Sequence, residues 1–271
     1  MVAMTRFDTA TEVTPAGDGT YTADLDPGYL IGSAMNGGYL MAVLQRAALA
    51  ESPHPHAVSS SFHFLRPGTA GPARVHTEVL KTGRTVATVR ATAHQDAGPV
   101  VTGTIATARL DAGAAPAYEA PAPGIAPMAE CRVYDPRAGA GAPDGFVHRV
   151  RQHYTPDTWD RLRGRAADPA PELLGHVELS PDDGGPCADP ALFLPLAVDA
   201  LPPVISVFDS WRWAPTVELT WHMRAVPVPG PLTFHARAGL VSDNWFDETV
   251  DLWDTKGRLV AQSRQLARAG R

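Results

Sequence analysis

Residues 230–268, GPLTFHARAGLVSDNWFDETVDLWDTKGRLVAQSRQLAR, lie without a gap over residues 71–109, GPARVHTEVLKTGRTVATVRATAHQDAGPVVTGTIATAR, when moved back by 159 positions (230 less 71). Gly71-Pro72 then falls on Gly230-Pro231, His76 on His235, Gly98 on Gly257, and Ala108-Arg109 on Ala267-Arg268. Each copy runs as an alternating strand, a polar break (Lys81-Thr82-Gly83-Arg84, or Ser242-Asp243-Asn244), a second strand, a glycine turn (Asp96-Ala97-Gly98, or Thr255-Lys256-Gly257) and a third strand. Identity between the copies is low, so the reading rests on the shared order of strand and turn signals. It makes the chain a tandem duplication of one α+β unit.

Upstream of the first copy, Tyr21 to Leu25 alternates into an Asp26-Pro27-Gly28 turn. Asn36-Gly37-Gly38 then precede Tyr39 to Glu51, nearly all apolar and without Pro or Gly, which predicts a buried helix with an open, donor-rich N-terminus. Ser52-Pro53 ends it, and Val58 to Arg66 leads into the repeat as a strand. In the second unit, residues 190–201 take the helix position, with Asp189 as N-cap, Pro190 as first helical residue, Pro195 as a kink and Pro202-Pro203 as the stop. Thr216 to Arg224 is its lead-in strand. Phe146 to Tyr154 and Glu172 to Leu179 read as strands around a short helix or turn at Thr155 to Arg165. The expected division is a unit over 1–110, an Ala/Pro/Gly-rich linker over 111–145, and a unit over 146–271.

At 271 residues, 44% hydrophobic and 19% charged, the composition is that of a soluble globular protein. No apolar run approaches the roughly 18 residues of a membrane span. The first residues lack a basic region followed by an apolar one, so a cytoplasmic protein with no membrane partner is expected. Cys131 and Cys187 have no CxxC spacing, and neither a metal, a disulfide framework nor a cofactor is indicated. A net charge of −6 argues against nucleic acid as partner.

Several residues stand out chemically. Asp199 is the single polar side chain between Leu192 and Leu201, where a carboxylate is costly to bury. It is either a general base of tuned pKa or a surface charge at a frayed helix end. Gln265 shares a strand face with Leu259, Ala261, Ser263 and Ala267, and the 159-residue register places Ala106 opposite it. That fits one active and one silent site, or a glutamine closing a local hydrogen bond. Gly37 and Gly38, with Asn36 as a further donor, offer backbone N–H groups that could polarise a carbonyl, or serve only a tight turn. His63 and His222 each precede an arginine and read as paired core positions as readily as catalytic ones. The five tryptophans from Trp211 onward fill the second core or line an apolar tunnel. No G-x-S-x-G occurs, which disfavours a serine hydrolase.

A long apolar helix across a curved antiparallel sheet, twice in one chain with the sheets side by side, is a double hot-dog architecture of the α+β class. The first unit resembles the acyl-CoA thioesterase II family in Gly37-Gly38, in Phe64-Leu65-Arg66-Pro67-Gly68 and in Leu80-Lys81-Thr82-Gly83-Arg84-Thr85. The second resembles it in Val198-Asp199, Trp221 to Arg224, and Gly257 to Ala261 leading to Gln265. The resemblance implies hydrolysis of an acyl-CoA thioester, with Asp199 activating a water that Gln265 orients. It implies a threonine as third member, met by Thr216 if Thr216-Val217-Glu218 is the matching tripeptide, or displaced to Pro215 if Trp221 and Arg224 set the alignment. Coenzyme A would meet Arg66, Lys81 and Arg84. Hot-dog sheets assemble into homo-oligomers in the family, although a double hot dog satisfies the basic pairing within one chain. The alternatives are a hydroxyacyl-thioester dehydratase or hydratase, which needs an acid/base His or Glu in the pocket, and a non-catalytic acyl-thioester binder.

Overall fold

The computed structural model describes residues 4–134, 145–167, 169–208 and 213–270. A short capped helix, α1 (Arg6–Ala10), leads into a hairpin of β1 (Thr14–Gly17) and β2 (Thr20–Leu25), then a small ribbon of β3 (Leu30–Ile31) and β4 (Ala34–Met35). Helix α2 (Gly37–Ala50) and strands β5 (His56–Phe64), β6 (Gly71–Lys81), β7 (Val86–Gln95) and β8 (Gly98–Ala108) complete the first half. The second half carries β9 (Arg132–Val133), β10 (Val150–Tyr154), α3 (Pro156–Leu162), β11 (Glu172–Leu179), α4 (Pro190–Ala197), β12 (Thr216–Met223), β13 (Leu232–Arg237), β14 (Val241–Ser242), β15 (Trp245–Trp253) and β16 (Leu259–Arg268).

Among the described residues, one 14-stranded sheet runs β1-β2-β6-β7-β8-β5-β12-β16-β15-β13-β11-β10-β9, with β14 attached to β15. Its seam is the antiparallel pair β5–β12, where Phe62 faces Leu219 and Ser60 faces Trp221. Outward from the seam the two sides match in strand order, β8-β7-β6-β2 against β16-β15-β13-β11. The α2 sequence is nearly all apolar because the helix is enclosed, by β5 to β8 beneath it and by α4 alongside. The polar break Asp243-Asn244 forms a two-residue hairpin turn between β14 and β15, with both residues at positive φ (51° and 61°), the left-handed conformation that matches strand twist.

Three expectations need correction. The helix expected over 190–201 ends at Ala197. Pro195 removes one intrahelical donor, and Pro202-Pro203 cannot continue the ladder, so the chain leaves the helix before Asp199. Second, the described part of the 111–145 stretch runs along the second half as an ordered strap. Glu119 accepts the Leu259 N–H at 2.6 Å, and the Ala126 carbonyl lies 2.9 Å from His176 Nε2. Residues 135–144 of it lie outside the described residues.

Third, the gapless 159-residue register fails at the last hairpin. Gln95 pairs with Gly98 around a two-residue turn, whereas Asp254 closes on Arg258 around three residues, Thr255-Lys256-Gly257. One extra residue slips the following strand by one, and a slip of one exchanges its faces. Ala106 is therefore on the outer face of β8, and the inner-face counterpart of Gln265 is Ile105. Ile105 pairs with Val89, as Gln265 pairs with Glu248.

Candidate active site

Asn36 is the N-cap of α2. Its Oδ1 accepts the Tyr39 N–H at 2.9 Å, which leaves its Nδ2 free to reach across to the second half. There it donates to the Asp199 backbone carbonyl and to Asp199 Oδ2, both at 3.2 Å. The Gly38 N–H donates to the same Oδ2 at 2.6 Å. Two donors from the start of α2 thus hold a carboxylate that is 161 residues away in sequence.

Both glycines are required by this approach. A Cβ on Gly38 would stand 2.7 Å from the Pro195 carbonyl oxygen and 2.9 Å from Leu196 Cα; one on Gly37 would stand 2.8 Å from the Phe64 ring and 3.0 Å from Asp199 Oδ2. The Gly38 N–H is consequently committed to Asp199 and is no free oxyanion donor. The Gly37 N–H has no acceptor among the described residues, and Gly37 lines the cavity described below.

Asp199 keeps some accessible surface because it faces that cavity, but protein surrounds it otherwise. Desolvation outweighs the two hydrogen bonds and pushes its carboxyl from 3.8 up to about 7. The reading of Asp199 as a surface charge at a frayed end is overturned.

The segment after α4 is pinned on further sides. Gln152 Nε2 donates to the Ala200 carbonyl at 2.6 Å, while Tyr154 donates its hydroxyl proton to Gln152 Oε1. The Val204 N–H donates to Glu248 Oε2 at 2.8 Å. Glu248 Oε1 in turn accepts from Gln265 Nε2 at 2.8 Å, and Gln265 Oε1 accepts the Thr216 hydroxyl proton at 2.5 Å. Glu248 is 2% exposed, and burial, with a smaller contribution from the charge of Asp199, pushes it up to about 7.

These side chains surround one cavity of about 950 Å³. Asn36, Gly37, Asp199, Thr216 and Gln265 line it together with Gln152 and Tyr154. Pro215 lines it as well but has no hydroxyl to donate, and it is Thr216 that bonds to Gln265. Apolar walls come from Met35, Leu40, Phe64, Phe146, Trp159 and Phe246. Arg66, Arg163 and Arg268 are its cations, with Arg163 over the Trp159 ring at 4.6 Å and Arg268 over Trp245 at 5.6 Å.

Lys81 and Arg84 are not among the lining residues. They belong to the β6–β7 turn, whereas Arg66 bonds to the Pro99 carbonyl beside the β7–β8 turn, at the other end of β7. The ten residues of β7 put roughly 33 Å between those turns. The three cations therefore do not form one coenzyme A site. His63 and His222 are exposed on the outer face, neither core nor lining. Trp221 and Trp253 are buried, Trp213 and Trp245 line the cavity, and Trp211 lies outside the described residues.

Glu248 is the residue that reading the sequence missed. It follows the inward alternation of Phe246, Val250 and Leu252, and the 159-residue register places the fully buried Val89 against it. A carboxylate where the other half has valine was a visible signal. Among the described residues no cluster of three or more His, Cys, Asp or Glu side chains could hold a metal, and no helix is long and apolar enough to cross a membrane.

Residues 25–108 match the model of the acyl-CoA thioesterase N-terminal domain and residues 128–269 that of the acyl-CoA thioesterase C-terminal domain. A Thermobifida fusca crystal structure, provisionally described as a thioesterase II, is 60% identical over 100% of both chains with a TM-score of 0.95. A hot-dog protein of unknown function from Alicyclobacillus acidocaldarius superposes with a TM-score of 0.83 at 21% identity, covering 99% of each chain, and supports the fold alone. An uncharacterized protein of Mycobacterium tuberculosis is 27% identical over 91% of this chain and 90% of its own length.

Proposed function

The chain belongs to the acyl-CoA thioesterase family and is a thioester hydrolase, and from that premise we propose that Asp199 is its general base. The observation that carries this is the Asp199 carboxyl, held by Gly38 and Asn36 against a cavity with a pKa of about 7. Its Oδ2 is occupied by both donors, while Oδ1 has no partner among the described residues and is available to a water. A general base works best with a pKa near the working pH, and burial brings this carboxyl there.

In the proposed reaction, a water beside the Thr216–Gln265 pair attacks the thioester carbonyl carbon as its proton passes to Asp199. The Gly37 N–H donates to the carbonyl oxygen as negative charge builds on it. The tetrahedral adduct collapses, the C–S bond breaks, and the departing sulfur takes the proton from Asp199 to give the free acid and coenzyme A. The acyl chain lies along Met35, Leu40, Phe64, Phe146 and Phe246, and the anionic coenzyme meets Arg66, Arg163 and Arg268. Units over 1–110 and 146–271 both contribute, since Gly37 and Asn36 come from the first and Asp199, Thr216 and Gln265 from the second.

Thiol release from a panel of acyl-CoA substrates of increasing chain length, with wild type beside Asp199→Asn, tests the reading. Turnover abolished by the substitution in a folded protein is expected. Turnover that persists would move the chemistry elsewhere, and ligand binding with no turnover in the wild type would favour a binding protein.

A further inference from the structure

A hot-dog sheet does not need a polar pair at the inner-face position occupied by Glu248 and Gln265. The first half of this same chain fills it with Val89 and Ile105, both fully buried and paired across β7 and β8. In the second half, Glu248 is 2% and Gln265 8% exposed. Burying a carboxylate there costs free energy that an apolar pair avoids, so packing does not explain the substitution.

The donors around Glu248 leave little freedom. Each of its oxygens receives one N–H, Oε2 from Val204 and Oε1 from Gln265. Once ionised, as it is above about pH 7, Glu248 only accepts, so Gln265 must then turn its amide nitrogen towards Glu248 and its carbonyl towards Thr216. The carbonyl only accepts, so Thr216 must point its proton at Gln265. The direction of all three hydrogen bonds is set by the acid at the far end.

We propose that Glu248 is a positioning residue that sets the Gln265 amide, and through it the Thr216 hydroxyl, so that Thr216 presents lone pairs to the water in the cavity. The inference rests on the assignment of that water to the Asp199 site. Glu248 does not line the cavity and touches neither water nor thioester; it acts through Gln265. The titratable groups that bear on it electrostatically are Asp199 and Tyr154.

The substitution Glu248→Gln makes the directional argument testable. A glutamine cannot accept from Val204 and Gln265 through two oxygens at once. Keeping the Val204 bond turns its NH2 towards Gln265, which must flip, and the flipped amide makes Thr216 a donor to the water. The expected result is a fall in kcat of about 10- to 100-fold with KM unchanged, by analogy with the loss seen when a hydrogen-bond partner that orients a metal ligand is removed. In a Gln265→Ala background Glu248→Gln should add nothing further.

A full additional loss in that background, or wild-type kcat in Glu248→Gln, would overturn the proposal. Failure of the underlying reading is distinguishable, because Asp199→Asn would then retain turnover whatever Glu248→Gln does. Should Glu248→Gln not fold, the low-pH limb of log kcat against pH decides. A slope of two in wild type, for two carboxyls that must both ionise, falling to one in Gln265→Ala supports the proposal. A slope of one in both overturns it.

Discussion

Replacing Asp199 by asparagine should make the protein more stable and inactive together, and the stability gain should depend on pH. Asparagine is nearly isosteric: its carbonyl can take the Oδ2 position and keep the Gly38 and Asn36 bonds, with its NH2 facing the cavity. What it removes is the cost of an ionised buried carboxyl. That carboxyl titrates at about 7 in the folded chain against 3.8 when free. At about 1.4 kcal/mol per pKa unit, holding it ionised costs about 4 kcal/mol, a large part of the roughly 5–15 kcal/mol that stabilises a typical domain. The sign follows from proton counting. Between the two pKa values the folded state holds a proton that the unfolded state has released, so wild-type stability declines as pH rises from about 4 to about 7 and levels off above. Urea denaturation at pH 4, 6 and 8 should therefore give equal stabilities for wild type and Asp199→Asn at pH 4, and an advantage to the variant that grows to about 4 kcal/mol at pH 8. A difference that does not grow with pH would refute the assignment of a raised pKa to Asp199. The same group predicts that wild-type kcat falls as pH drops below about 7.

Gly38→Ala forces a Cβ to 2.7 Å from the Pro195 carbonyl oxygen, on backbone that cannot move alone, so α2 and α4 must separate. Overpacking of this kind costs about 1–3 kcal/mol, partly offset by the better helix propensity of alanine, and a lower Tm with a reduced kcat is the expected pair of readings. Arg66→Ala should raise KM for acyl-CoA several-fold, whereas Lys81→Ala and Arg84→Ala should leave it unchanged; equal effects from all three would restore the single basic site rejected above. Cys187 is 4% exposed with its thiol pushed up to about 12, so a thiol-reactive dye should label only Cys131 in the native protein and both cysteines in denaturant.

Much of this architecture is visible in the residues because local rules govern it. The alternation of β6, β7 and β15, the cap-then-apolar pattern of α2 and the positive-φ turn at Asp243-Asn244 are each set by a few neighbouring side chains. What escaped depends on contacts distant in sequence or on one residue of register. Thr255-Lys256-Gly257 contains the same turn chemistry as Asp96-Ala97-Gly98, and nothing local reveals that the strands close around three residues in one and two in the other. That single residue put Ala106 on the wrong face. Gly38 reads as an open helix start until Asp199 arrives from 161 residues away to occupy its N–H. Lys81 and Arg84 look like partners of Arg66 in composition, and only the length of β7 separates them. Glu248 was legible in principle, since its neighbours on the inward face are Phe246, Val250 and Leu252.

On the proposed role of Asp199, the bond from Gly38 makes activity depend on assembly of the two halves. Neither half of the chain contains both the carboxylate and the donors that hold it, and in the folded chain the two meet across the halves that β5 and β12 join. With Asp199 as the base, a chain whose halves have come apart has lost the Gly38 and Asn36 donors that seat it. On that reading turnover should report on docking of the halves, and a chain whose halves are apart should not hydrolyse thioester.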